Sequence, residues 1–179
     1  EALNDLAFLF ERNGHFEQAI LLTNYLYEIN PNKYALNISS LYERMGQFDK
    51  AYQSLPKELN IGKNEKPSDI EVRYFQRKAA WIIISQRNEE LKQEGIDSLN
   101  KLEELLFSHN EDNNPLWLWH FYNIKANLHE WNNDLDEAII FYKRCLSIPT
   151  LGAFEYGATF VNMAISYRCK YINQIEKDQ

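Results

Sequence analysis

Apolar residues recur along this chain with the period of an α-helix. Leu3, Leu6, Ala7 and Phe10 fall at i, i+3, i+4 and i+7, one stripe on one helix face. Asn13-Gly14 stops the stripe, because glycine takes the left-handed backbone of a helix C-terminus without a Cβ penalty. A second stripe, Phe16, Ala19, Ile20, Leu22, Leu26 and Ile29, is ended by Pro31. The pattern then restarts. Ala35, Ile38, Leu41 and Tyr42 lead to a stop at Gly46, and Phe48, Ala51 and Leu55 follow. Two helices, a stop and a second pair in the same phase predict an internal repeat.

The repeat has a signature. Its first helix reads Leu3-x2-Leu6-Ala7-x2-Phe10 and then Ala35-x2-Ile38-Ser39-x2-Tyr42; its second reads Ala19-x3-Thr23-x2-Leu26 and then Ala51-x3-Leu55. The small residues of each pair, Ala7 and Ala19 or Ser39 and Ala51, are 12 positions apart, where two antiparallel helices approach most closely. Residues 13–19 match residues 45–51 almost position by position. This pattern resembles the tetratricopeptide repeat. A further unit reads Tyr122-x2-Lys125-Ala126-x2-His129 and Ala138-x3-Tyr142-x2-Cys145, again 12 apart, with Asp134 and Glu137 placed to form a capping box on its second helix. A looser third unit, Phe75-x2-Lys78-Ala79-x2-Ile82 with Gly95-x3-Leu99-x2-Leu102, has a gap of 16, one helical turn too many. Phe160-x2-Met163-Ala164-x2-Tyr167 opens a fifth. Lys78 and Lys125 stand where the family places Leu.

The resemblance implies an all-α fold, a right-handed α-solenoid of antiparallel helix pairs with about four pairs and a C-terminal helix. The expected units are 1–32, 33–60, 69–108 and 116–148, with a terminal helix over 154–176, in a single repeat domain over 1–179. Polar stretches at Asn60 to Ser68 and Ser108 to Pro115 read as inserted loops.

Composition narrows the function classes. In 179 residues, 19 basic against 26 acidic side chains give a net charge of −7, which disfavours nucleic acid as a partner. The stretch from Lys57 to Lys78 is locally basic at +2. Two Cys make no disulfide framework. The longest apolar run, Ala79 to Ile84, is far short of a membrane span, and the start, Glu1-Ala2-Leu3-Asn4, lacks a signal sequence. The chain therefore reads as a soluble, cytoplasmic piece of a longer protein. His15, His109, His120, His129, Cys145 and Cys169 show no metal-ligand spacing, no nucleophile motif is present, and no cofactor or metal is expected. In Trp117-Leu118-Trp119-His120-Phe121-Tyr122, helical spacing assigns Phe121 and one Trp to the core and leaves the other Trp to face elsewhere.

By resemblance, the function is binding of a protein or peptide along the concave groove made by successive first helices. The family's groove positions fall on Asn4, Phe8, Glu11 and Arg12, then Leu36, Asn37, Ser40, Glu43 and Arg44, then Arg73, Gln76 and Arg77, then His120, Asn123, Asn127 and Glu130, and finally Arg168. Asn37, Arg44, Arg73, Arg77, Asn123, Asn127 and Arg168 are the expected contacts, since amides bracket a peptide backbone and guanidinium groups grip carboxylates. The carboxylate clamp of chaperone-tail-binding relatives is incomplete here, with Asn4 and Phe8 in place of two of its members. Two other roles are open to such an array: the peptide-sensing part of a regulator, or the recruiting arm of an enzyme.

Overall fold

The computed structural model describes residues 2–57, 59, 68–108 and 114–177. The loops expected at 60–68 and 108–115 lie, apart from their edges, outside the described residues. All regular structure among the described residues is α-helical, and the chain forms two compact units, Glu1–Tyr74 and Phe75–Gln179.

The first unit holds α1 (Ala2–Arg12), α2 (Phe16–Ile29), α3 (Pro31–Arg44), α4 (Phe48–Gln53) and the opening turns of α5 (Asp69–Ile83). Its core is Ala7, Ala19, Leu26, Ala35, Ile38, Leu41, Ala51, Val72 and Tyr74, all buried. The Tyr74 hydroxyl donates to the carbonyls of Pro56 and Lys57, which pins the segment after α4. Pro31 has a different role from the one its sequence suggests. It opens α3 with Asn30 as N-cap, whose side chain accepts from the Lys33 N–H at 3.2 Å, so α2 and α3 are separated by a single residue. Proline suits that first position, because its missing N–H has no helical partner there. Asn114 and Pro115 open a later helix in the same way.

The second unit continues α5 and adds α6 (Glu89–Phe107), α7 (Pro115–Trp131), α8 (Leu135–Leu146) and α9 (Ala153–Lys177). Its core includes Ala79, Ile82, Ile83, Leu99, Leu102, Phe121, Ile124, Ala126, Ala138 and Tyr142. Burial of each such large apolar side chain favours folding by about 1.5–3 kcal/mol before conformational entropy is counted.

All four turns inside a helix pair use one backbone device. Gly14, Gly46, Gln86 and Asn133 have positive φ (78°, 70°, 46° and 59°). The N–H of the next residue reaches back to the carbonyl five positions earlier: His15 to Phe10, Gln47 to Tyr42, Arg87 to Ile82, Asp134 to His129. Each left-handed residue lies seven positions after a small residue of the first helix, Ala7, Ser39, Ala79 or Ala126. The third unit is thus in phase up to Gln86. Its four extra residues all come later: two residues rather than one precede the second helix, and six rather than three helical residues precede the small Gly95.

Candidate functional site

Within the first unit, α1, α3 and the start of α5 line a groove of about 480 Å³. α1 contributes Asn4, Asp5, Phe8 and Glu11; α3 contributes Asn37, Ser40 and Arg44; α5 contributes Arg73. Helical spacing explains the set, since Asn4, Phe8 and Glu11, like Asn37, Ser40 and Arg44, recur at three and four positions along one face. The other side of α3 supplies Ala35 and Ile38 to the core, and the buried Leu41 lies at the groove itself.

The groove is electrically divided. α1 brings two carboxylates, and α3 and α5 bring two guanidinium groups. Arg44 Nε lies 3.4 Å from Glu11 Oε1, and Arg73 Nη1 lies 3.5 Å from Asp69 Oδ2 one turn earlier on α5. Both are single, solvent-accessible contacts, which leaves each guanidinium with donors for a second carboxylate. The Arg12 guanidinium stacks over the Phe8 ring at 5.5 Å, and Phe8 itself is exposed. Of the expected contacts, the structure brings Asn37, Arg44 and Arg73 together here.

Arg77, Asn123, Asn127 and Arg168 belong to the second unit. Asn123 is buried, and its Oδ1 accepts from Asn162 of α9 at 3.3 Å. Asn127 turns its amide N–H onto the Asn123 carbonyl at 2.8 Å, inside its own helix. The two amides at i, i+4 are therefore engaged in the scaffold. Arg77 lies near His120, and Arg168 is exposed on α9. Burial, with a smaller contribution from the Arg77 charge, pushes the His120 imidazole down to about 4 against an opposing pull from Glu155, so it is neutral at physiological pH.

The aromatic cluster divides much as its spacing suggests. Trp119 and Phe121 are buried, with the indole N–H of Trp119 donating to Thr159 at 2.8 Å, and Trp117 is half-buried. The Cys145 thiol points at the Trp119 carbonyl, and burial raises its pKa to about 12, far from that of a nucleophile. Asp134 does not cap α8 through its side chain. Its carboxylate turns instead to His129 Nδ1 at 3.0 Å, which replaces the expected capping box. Among the described residues no three His, Cys, Asp or Glu side chains come together to hold a metal, and no helix is long and apolar enough to cross a membrane.

A family model for the tetratricopeptide repeat matches residues 120–149, the segment that holds most of α7, all of α8 and the turn between them. The chain carries a tetratricopeptide repeat. No curated protein matches the chain. Repeats of this family mediate protein–protein interaction, and the matched one shares its turn and its seven-residue phase with the three pairs before it. Stacked antiparallel pairs of this kind are the building block of an α-solenoid.

Two lysines that depart from the repeat pattern find partners on α6. Lys78 Nζ lies 2.6 Å from Glu94, and Lys125 Nζ lies 2.9 Å from Glu103 and 5.1 Å from the Phe121 ring centroid. The long aliphatic stem of lysine stands in for Leu while the ammonium reaches a carboxylate. Sequence reasoning also missed a polar stripe on α9. Thr159, Asn162 and Ser166 meet Trp119, Asn123 and Glu130 of α7, while Lys170 and Asn173 meet Asp136 and Asn133. Their spacing of 3, 4, 4 and 3 is the available signal, a row of polar residues along one helix face.

Proposed function

We propose that the first unit is a non-catalytic module that holds an extended peptide segment of a partner protein in the groove between α1, α3 and the start of α5. One observation carries the reading: Asn37, Ser40, Arg44 and Arg73 line a groove of about 480 Å³ with Asn4, Phe8 and Glu11 across from them. That volume suits a few residues of extended chain. Asn4 and Asn37 are placed to pair with peptide N–H and C=O groups, Phe8 offers an apolar contact, and Arg44 and Arg73 offer carboxylate-binding donors. In the second unit the candidate contacts that remain are Arg77 and Arg168, and the same recruiting role extends to it.

The test starts with a peptide selected from a random library on the purified protein. Asn37→Ala and Arg44→Ala are each expected to weaken that peptide about tenfold, the scale of one lost hydrogen bond to a charged or amide group. Unchanged affinity in both variants, with the fold intact, refutes the groove assignment.

A further inference from the structure

Four charged side chains line the groove of the first unit, Asp5, Glu11, Arg44 and Arg73, and they are not equivalent. α1 and α3 run in the same direction, because α2 reverses the chain once and the single-residue step at Asn30 reverses it again. Glu11 and Arg44 stand in the last turns of those two helices and pair with each other at 3.4 Å. That pair ties α1 to α3 and largely cancels the charge at the C-terminal end of the groove. Asp5 stands at the other end, in the first turn of α1, exposed and in no ion pair. Arg73 enters from the opening turns of α5, and Asp69, which it meets at 3.5 Å, does not line the groove. Between these two charges the lining is neutral. Asn37 stands two positions before Ser39, as Asp5 stands two before Ala7, so the amide lies level with the carboxylate on the neighbouring helix.

Given that the groove holds an extended peptide, as proposed above, we infer that this peptide carries a basic side chain against Asp5 and an acidic side chain against Arg73, with uncharged residues between them. Charge complementarity selects this class of ligand. A uniformly acidic segment would set its carboxylates against Asp5 and Glu11, and a uniformly basic one would set its cations against Arg44 and Arg73. Like charges brought together in an interface cost affinity and reject the wrong partner. A segment without charge would cover Asp5 and Arg73, stripping water from both and returning nothing. In the middle of the groove the demand is opposite. A charged side chain over the buried Ala7 and Leu41 would lose its water against apolar surface, whereas Asn4, Asn37 and Ser40 offer neutral hydrogen-bond partners. Phe8, 53 % exposed, adds an apolar contact for one of the uncharged residues. The guanidinium of Arg73 spends a single donor on Asp69, so a carboxylate from the peptide can take others in a forked contact. With a net charge of −7, the chain draws the basic side of the peptide from a distance, and the acidic side chain fixes its register.

Charge-reversal rescue tests this, with a fluorescent peptide selected from a random library on the full chain and read by anisotropy. Selected peptides are expected to carry at least one basic and one acidic residue. Replacing the basic residue of the peptide by Glu is expected to weaken binding to the wild type about tenfold, twice over the scale of one exposed ion pair. Asp5→Lys should restore it to within about threefold, and Arg73→Glu should not. Replacing the acidic residue of the peptide by Lys should give the converse, rescue by Arg73→Glu and none by Asp5→Lys. The peptide-side reversals need no protein variant, so they remain informative if a variant folds poorly. Selected peptides of one charge sign or none, tolerance of both reversals, or rescue by the wrong protein variant overturns the charge order. Asn37→Ala and Arg44→Ala separate that failure from a deeper one. If they weaken the same peptide while the rescue pattern is absent, the charge order falls and the groove stands. If neither weakens it, the groove assignment falls, and the charge order with it.

Discussion

Replacing Gly95 by Ala sets two effects of opposite sign against each other. Gly95 lies inside α6, where Ala is intrinsically preferred by about 1 kcal/mol. The added Cβ, however, would stand 2.7 Å from Ile82 Cγ2, 3.0 Å from Ile82 Cβ and 3.1 Å from Ile83 Cγ1. Both isoleucines are fully buried on α5, and β-branched side chains in a helix hold essentially one rotamer, so neither swings away. α6 must move off α5, and overpacking of this kind costs about 1–3 kcal/mol, toward the upper end when two side chains are met at once. The net expectation is a loss of about 1–2 kcal/mol, or about 5–10 °C in the melting temperature of a unit this size. Tryptophan fluorescence isolates the effect, because Trp81, Trp117, Trp119 and Trp131 all lie in the second unit. Gly157→Ala is the matched control. Its Cβ meets open space, so the same change in α9 is expected to stabilise by up to about 1 kcal/mol. The reasoning fails if Gly95→Ala raises the urea midpoint at constant m-value, for α5 and α6 would then not meet at van der Waals contact.

Other expectations follow from individual sites. His120 is neutral in the fold and titrates near 4, below its unfolded value of 6.5, so its contribution is complete above pH 6.5 and is lost as pH falls toward 4. The loss is on the order of 3 kcal/mol at most, and denaturation of His120→Gln between pH 7 and 4 should show a shallower slope than the wild type. Gln86 holds a left-handed conformation that costs an ordinary residue about 1–2 kcal/mol, partly offset by the greater unfolded freedom of glycine, so Gln86→Gly should raise the melting temperature slightly. Asn123→Ala removes the acceptor for Asn162 and should destabilise the second unit by about 1 kcal/mol, while Asn127→Ala, at a half-buried site, should cost less. Equal effects of the two in thermal melts would contradict that assignment.

Much of the architecture is legible in the sequence because the repeat ties conformation to composition. Gly14 and Gly46 announce their turns, and the 12-residue spacing of small residues announces the first, second and fourth pairs. The third turn is hidden because Gln86 adopts the same left-handed backbone without being Gly, and the extra turn of α6 then displaces Gly95 from its usual place. Lys78 and Lys125 look like breaks in the pattern because their partners, Glu94 and Glu103, lie on another helix. Asp134 carries the right residue type for a cap, but His129, five residues back across the same turn, takes its carboxylate in place of the local N–H groups. For the groove the division is similar. Asn37, Arg44 and Arg73 share one cavity, as family positions imply. The engagement of Asn123 by Asn162 depends on how α9 docks against α7, which no local pattern on α7 encodes.

The most direct test of the groove is hydrogen–deuterium exchange on the full chain with and without a library-selected peptide. Protection concentrated on α1, on α3 around Asn37 to Arg44, and at the start of α5 around Arg73 is the predicted result. Protection absent from those helices and confined to the second unit, or hydrolysis of the peptide by the purified protein, would contradict it.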